Sequence, residues 1–352
     1  MASVNVHETD VVVVGGGGAA LRAALEARRA GARVLVMTKG RLGATGATSF
    51  GVASLAGFAI PDGAGDPSDN PDVHFEDIMR NGAGCADPKL VRILVNEAQA
   101  AATALQSWGV EFMKGPDGKV LVAMGDFASK PRNRKIHGHW RPIVLALKNG
   151  CAEAGVLVME NTVAFDLIRD ESGCRGLLAV DLSGGLHAVA AGATVLATGG
   201  AGQLFEYSLS PPDVTGDGYA LAYRAGAELA NLEFMQAGFG LLHPFTNIIM
   251  SWFWLLGPKL TNRQGEEFLD RYLPPGMDRE TCFRAKVKHY PFSSEDPSRY
   301  LEIAAKQEIE VGHGTERRGV FLDLRKVSEA ERIPPGSLDC SRPRRRHADA
   351  VL

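Results

Sequence analysis

Residues 15–20 read Gly15-Gly16-Gly17-Gly18-Ala19-Ala20, a Gly-x-Gly-x-x-Ala pattern. Residues of these types at this spacing can bind the diphosphate of a dinucleotide. Gly15 permits a tight turn, Gly17 lets the backbone approach phosphate oxygens, and Ala20 lets a helix pack closely on a sheet. A helix starting there directs free N–H groups and the positive end of its dipole at the anion. About 20 residues further on, such sites usually carry an acid that holds the ribose hydroxyls. Thr38 and Lys39 stand there instead. The threonine hydroxyl can still bond a ribose hydroxyl, as a neutral group.

For this chemistry the glycines must join a strand to a helix, and the flanking residues predict both. Asp10 and the run Val11 to Val14 read as a buried strand, preceded by nine polar or mixed residues. Ala19 to Arg29 is rich in strong helix formers and stops at Gly31. Val34 to Met37 is a second buried strand, which completes a βαβ unit. Glycine-rich, polar sequence from Lys39 to Asp72 reads as a long functional loop with at most short helical pieces. Pro88 to Trp108 and Pro142 to Ala154 are expected helices. From Val156 to Val195 short apolar runs alternate with turn signals, a meander leading into a strand at Ala193 to Leu196. Asp217 to Ala225 reads as a helix stopped by Gly226.

Composition narrows the partners. A net charge of -3 points to no nucleic-acid or anionic-membrane partner. The five cysteines are scattered without CxxC spacing, which excludes a zinc or iron–sulfur ligand set on spacing grounds, so no metal is expected. Their odd number fits a reducing compartment, and a cytoplasmic location is expected. Leu241 to Leu260 is apolar but broken by His243, Pro244, Asn247, Gly257, Pro258 and Lys259, which makes it core or pocket lining and not a membrane span. His137 and His139 read as structural hydrogen-bonders, while Trp252 and Trp254 read equally as pocket lining or core.

Four segments in register carry a resemblance. They are the βαβ unit, the loop Lys39 to Gly51, Ala197-Thr-Gly-Gly-Ala-Gly202, and Thr215-Gly-Asp-Gly218 leading into a helix. Over roughly residues 8 to 326 the chain resembles the FAD-dependent succinate dehydrogenase and fumarate reductase flavoproteins, a family that includes L-aspartate oxidase and the adenylylsulfate reductase flavoprotein. The resemblance implies an α/β fold: a Rossmann-type FAD-binding domain with an inserted β-meander over residues 1–235, and a smaller α+β capping domain over 236–326. Residues 327–352 are expected to form an irregular tail. Pro334 to His347 lack the apolar periodicity of an element. The expectation is of a truncated chain without the segment by which relatives return to the first domain.

The resemblance also implies site residues. Thr45, Gly46, Thr48, Ser49 and Gly51 would wrap the cofactor, Val163 would meet the adenine by its backbone, and Ala197, Thr198, Gly199 and Gly200 would close over the pyrophosphate and ribityl region. Asp217 would contact the flavin side. Two departures stand out. Ala44 occupies the place of the histidine to which succinate dehydrogenases attach FAD, so the flavin is expected to be noncovalent. Gln236-Ala-Gly-Phe-Gly240 replaces their histidine-containing substrate segment, and the His243-Pro244 pair comes only later. Ser298-Arg299 resembles the segment bearing an arginine proton shuttle, which makes Arg299 and His243 the expected catalytic residues. The implied reaction is hydride transfer between flavin and a small carboxylated substrate, neutralised by His243, Lys259, Arg263 and Arg299. Electrons would leave to an iron–sulfur protein or a quinone or dye acceptor. Ile136 to Ile143 and Ser251 to Glu266 resemble the adenylylsulfate reductase flavoprotein instead, which makes a sulfur-redox protein the alternative. An inactive FAD-binding remnant is the third.

Overall fold

The computed structural model describes residues 4–49, 57–138, 141–243, 245–325, 327 and 350–351. The chain divides into two compact units, Met1–Glu233 and Phe234–Leu352.

In the first unit, strand β1 (Val4–Val14) leads into helix α1 (Gly18–Arg29) and strand β2 (Val34–Met37). The two-residue period of a strand is visible in what each side chain touches. Val13, Val34 and Val36 join one core with Ala20, Leu21, Ala24 and Leu25 of α1. Val12, Val14, Leu35 and Met37 join the core on the opposite face of the sheet. Both strands are thus covered on two sides, which is why they read as unbroken apolar runs.

An excursion over residues 57–138 carries a short strand β3 (Phe58–Ala59), helices α2 (Pro71–Asn81) and α3 (Pro88–Ser107), and a strand β4 (Asn133–Arg134) that pairs with β3. Asn70 caps α2 by accepting from the Asp72 and Val73 amides, and Asp87 caps α3 through Lys89. In both helices proline fills the first turn, where a missing N–H costs nothing. Beneath them lies a charged cluster. Arg132, 2% exposed, donates to both Asp69 oxygens and to Asp77 Oδ2 at 2.7 Å. Burial pushes the Asp77 carboxyl up, but bonds from Ser129, Arg132 and Arg80 prevail and hold it at about 2. A depressed carboxylate stabilises the fold fully above its unfolded pKa and loses that contribution as pH falls toward 2. Arg132→Leu strands two buried carboxylates, and is expected to destabilise the unit by about 3–5 kcal/mol, read as a lower urea midpoint.

Helix α4 (Arg141–Glu153) lays Leu147 and Cys151 into the core that α1 also covers. Strands β5 (Leu157–Met159), β6 (Thr162–Asp170), β7 (Gly173–Asp181) and β8 (Leu186–Leu196) complete one sheet, ordered β5-β2-β1-β8-β7-β6. The pairings β5–β2, β2–β1 and β1–β8 are parallel, and β8–β7 and β7–β6 antiparallel. Helix α5 (Asp217–Arg224) follows. This is an α/β fold, a parallel sheet extended by an antiparallel meander.

Four expectations are corrected. β1 begins at Val4, not after nine polar residues, because its first half pairs with β8 from Val4–Leu186 onward. Ala193 to Leu196 is the end of β8 and not a separate strand. β5 is no part of the meander, since it pairs parallel with β2. The loop expected to run to Asp72 contains β3 and the start of α2.

The second unit opens with a hairpin of β9 (Gly240–Leu241) and β10 (Asn247–Ile248). It continues through β11 (Lys259–Thr261), α6 (Arg279–Lys286), α7 (Arg299–Glu310), β12 (Phe321–Asp323) and β13 (Ala350–Val351). β11, β12 and β13 form an antiparallel sheet. Of the expected irregular tail, only Val327 and β13 lie within the described residues. The core gathers Phe239, Trp254, Phe268, Phe283, Leu301 and Leu322. Trp254 is core, its ring 5.2 Å from Phe239 and 5.6 Å from Phe283, while Trp252 is half-buried against Phe253. No helix among the described residues is long and apolar enough to cross a membrane.

Candidate functional site

A cavity of about 360 Å³ opens in the first unit where β1 and β8 end side by side. Its floor is the glycine turn. The Gly15 N–H donates to the Met37 carbonyl at 2.8 Å, and Gly15 sits at φ +127°. A Cβ there would stand 2.2 Å from the Ala197 carbonyl oxygen, so only glycine lets the two strand ends come this close. A Cβ on Gly16 would stand 2.7 Å from Thr38 Oγ1. Gly17 is the extended residue before α1 and has no side chain to cap it. The first-turn amides of a helix lack intrahelical acceptors. Thr48 Oγ1 satisfies the Gly18 amide at 3.0 Å, and Ala19 lines the cavity beside it.

An ion pair borders the same cavity. Lys39 Nζ donates to Asp217 Oδ2 at 2.6 Å and to Thr215 Oγ1 at 2.7 Å, and Thr215 Oγ1 donates to Asp217 Oδ1 at 2.9 Å. Burial pushes the Asp217 carboxyl up, but the bonds from Lys39 and Thr215 and the charge on Lys39 hold it below the usual carboxylate range. Asp217 is also the first residue of α5, where a negative charge complements the helix dipole. Gly216 precedes it in the left-handed region at φ +79°.

Of the expected cofactor contacts, the cavity brings together Gly15, Gly16, Gly17, Gly18, Ala19, Thr38, Lys39, Thr45, Gly46, Thr48, Val163, Ala197, Thr198, Gly199 and Asp217. It does not include Ala20, which is fully buried on the core-facing side of α1. Nor does it include Gly200, whose carbonyl accepts from the Gly216 amide at 3.1 Å. Ser49 is buried with its hydroxyl unpartnered among the described residues, and Gly51 lies outside them. Ala47, Thr162, Asp213, Val214, Gly218 and Tyr219 also line the cavity and are not among the expected contacts. Gly218 had one legible signal, its place in Thr215-Gly-Asp-Gly218, and a Cβ there would strike Thr198 Oγ1.

The expected catalytic residues lie in the second unit. His243 is exposed, just beyond β9. Arg299 opens α7 and is half-buried, donating from Nη1 to the Ser294 carbonyl at 2.7 Å. Lys259 is paired with Glu267. His137 is exposed, and His139 and Pro244 lie outside the described residues.

The sequence model of a family described as "FAD binding domain" matches residues 10–348. The chain belongs to this FAD-binding family. A relative, a CoM/CoB fumarate reductase subunit from Methanothermobacter marburgensis, is 31% identical over 91% of the chain and 56% of its own length. The L-aspartate oxidase of Streptomyces coelicolor is 38% identical over 64% of the chain and 39% of its own length. The structure of Mycobacterium smegmatis Sdh1 in complex with UQ1 superposes with a TM-score of 0.75 at 28% identity, covering 93% of this chain and 54% of that one. The chain thus spans about half the length of such relatives. The cofactor of this family of oxidoreductases is FAD, and the cavity's residues fit it: the first turn of α1 lines the cavity after Gly17, Lys39 lies on its border, and the buried Ser49 hydroxyl next to Thr48 has no partner among the described residues.

Proposed function

We propose that the chain is the FAD-binding and substrate-capping part of an FAD-dependent oxidoreductase acting on a small carboxylated molecule. The observation that carries the reading is the cavity at the N-terminus of α1, bordered by Lys39 and Asp217, in a chain of the FAD-binding family. When bound there, FAD would supply two-electron redox chemistry that side chains lack. The chain's own residues bind and orient it. The first turn of α1 and Lys39 face its negative charge, Thr38 offers a ribose partner, and the wall Ala197 to Gly199 excludes water. The first unit is assigned to cofactor and the second to substrate, with Arg299 as the proton-carrying residue and His243 as a further substrate residue. An iron–sulfur protein or a quinone or dye serves as electron acceptor, and the UQ1 bound in the Sdh1 structure supports the quinone. Free thiols at Cys85, Cys151, Cys174 and Cys282 support a reducing, cytoplasmic setting.

Bound flavin is proposed to be noncovalent. Ala44 is exposed and lies outside the cavity, and among the described residues no histidine or cysteine lines it. Acid precipitation of the yellow protein is expected to leave its colour, with flavin fluorescence, in the supernatant. Colour retained by the washed pellet contradicts the noncovalent assignment, and release of a nicotinamide without flavin contradicts the cofactor.

A further inference from the structure

Lys286, the last residue of α6, and His289, just beyond it, are both almost fully buried. The Pro291 carbonyl accepts from Lys286 Nζ at 3.1 Å and lies 2.8 Å from His289 Nδ1. His289 Nε2 lies 2.7 Å from Asp296 Oδ2, with Ser298 Oγ at 3.5 Å from the same nitrogen. Asp296 Oδ1 accepts from the Ser298 amide at 2.8 Å, and the Asp296 carbonyl accepts from the Arg299 amide at 3.3 Å. Lys286 also pairs with Glu302 of α7. Tyr290 and Cys282 are further titratable neighbours, both neutral at neutral pH, and burial pushes the Tyr290 phenol up to about 12 and the Cys282 thiol up to about 11.

These contacts select one protonation pattern. A backbone carbonyl only accepts, so Nδ1 must carry hydrogen. Burial pushes the Asp296 carboxyl up, but bonds from Ser298 and His289 prevail and hold it below its usual range. An ionised carboxylate also only accepts, so Nε2 must carry hydrogen as well. A neutral imidazole would set one lone pair against an acceptor. Lys286 pairs with Glu302, whose carboxyl burial pushes up against the charge and hydrogen bond of Lys286, while His289 faces the Asp296 carboxylate.

We propose that His289 is a positioning residue for Arg299: a buried imidazolium, clamped between the Pro291 carbonyl and the Asp296 carboxylate, that fixes the turn from which α7 starts. The Ser298 side chain makes no capping bond to α7, so the Asp296 turn does the work of a cap. Arg299 is the next residue, and its starting direction follows from that turn. The functional half of the proposal rests on the reading of Arg299 as a substrate residue.

The test uses the full chain labelled with ¹⁵N-histidine, the His289 signals being assigned by their loss in His289→Gln. At neutral pH both His289 ring nitrogens are expected to carry protons, and a single protonated nitrogen overturns the proposal whatever Arg299 does. In Asp296→Asn, amide exchange at Ser298 and Arg299 is expected to quicken at least about tenfold, equivalent to about 1.4 kcal/mol of lost local stability. Unchanged exchange overturns the positioning role. Unaltered turnover in Arg299→Gln, with both His289 protons present, sinks the substrate reading of Arg299 and leaves the clamp supported.

Discussion

Arg299→Gln is expected to lower turnover by about 100- to 10,000-fold, the usual contribution of a positioned acid or base, with flavin content unchanged. Glutamine keeps a hydrogen-bonding tip but loses the charge and the transferable proton. Arginine holds its proton in water and releases it only in a desolvated, charged setting. Arg299 is half-buried at the head of α7, with its guanidinium 5.0 Å from the Tyr300 ring and bonded to the Tyr300 hydroxyl at 3.3 Å. The measurement is dye-linked turnover over a panel of dicarboxylates, with flavin absorbance read on the same samples. Equal turnover in wild type and variant would reduce Arg299 to a structural tie on the Ser294 carbonyl. No turnover by the wild type with any carboxylate would favour the inert remnant.

Gly15→Ala is expected to lower the melting temperature by roughly 10 °C and to abolish flavin binding. A side chain at φ +127° costs about 1–3 kcal/mol in backbone strain. The contact at 2.2 Å with a backbone oxygen adds about 1–3 kcal/mol of overpacking, because β8 cannot give way alone. In a domain of this size each kcal/mol moves the midpoint by about 2–4 °C. Gly31→Ala is the control, since Gly31 also has positive φ, at +94°, but nothing lies within 4 Å of its Cβ position. It is expected to cost a few degrees and to keep flavin binding. If the two variants melt together, close approach of the strands is not what demands glycine at residue 15.

The parts of the fold that were legible are those where local pattern and tertiary environment agree. The βαβ unit is covered on both faces, so Val11 to Val14 and Val34 to Met37 announce themselves by apolar runs. The half of β1 before Asp10 was not legible, because Val4 and Val6 are exposed and the strand exists through its backbone pairing with β8. Helix α2 was missed although Asn70-Pro71 is a cap followed by a first-turn proline, since the glycine-rich context outweighed it. In the site, the motif glycines, Lys39 and Asp217 are legible from their register, whereas the ion pair between Lys39 and Asp217 is not. Thr162, Asp213, Val214 and Tyr219 were not, because their place at the cavity depends on three-dimensional closure and on no local spacing.

The parallel pairing of β1 with β8, from Val4–Leu186 to Val14–Leu196, also sets a timetable for the chain in the cell. A ribosome adds about 5–20 residues per second, so β8 emerges roughly 10–40 s after β1. During that interval α1 and β2 can dock, while the other edge of β1 offers unpaired N–H and C=O groups to any passing strand. Cofactor cannot shorten the wait, for the wall at Ala197 to Gly199 and the partner of Lys39 at Asp217 are made later still. FAD therefore acts on finished first units, drawing them toward the folded state by mass action, and gives nascent ones no shelter.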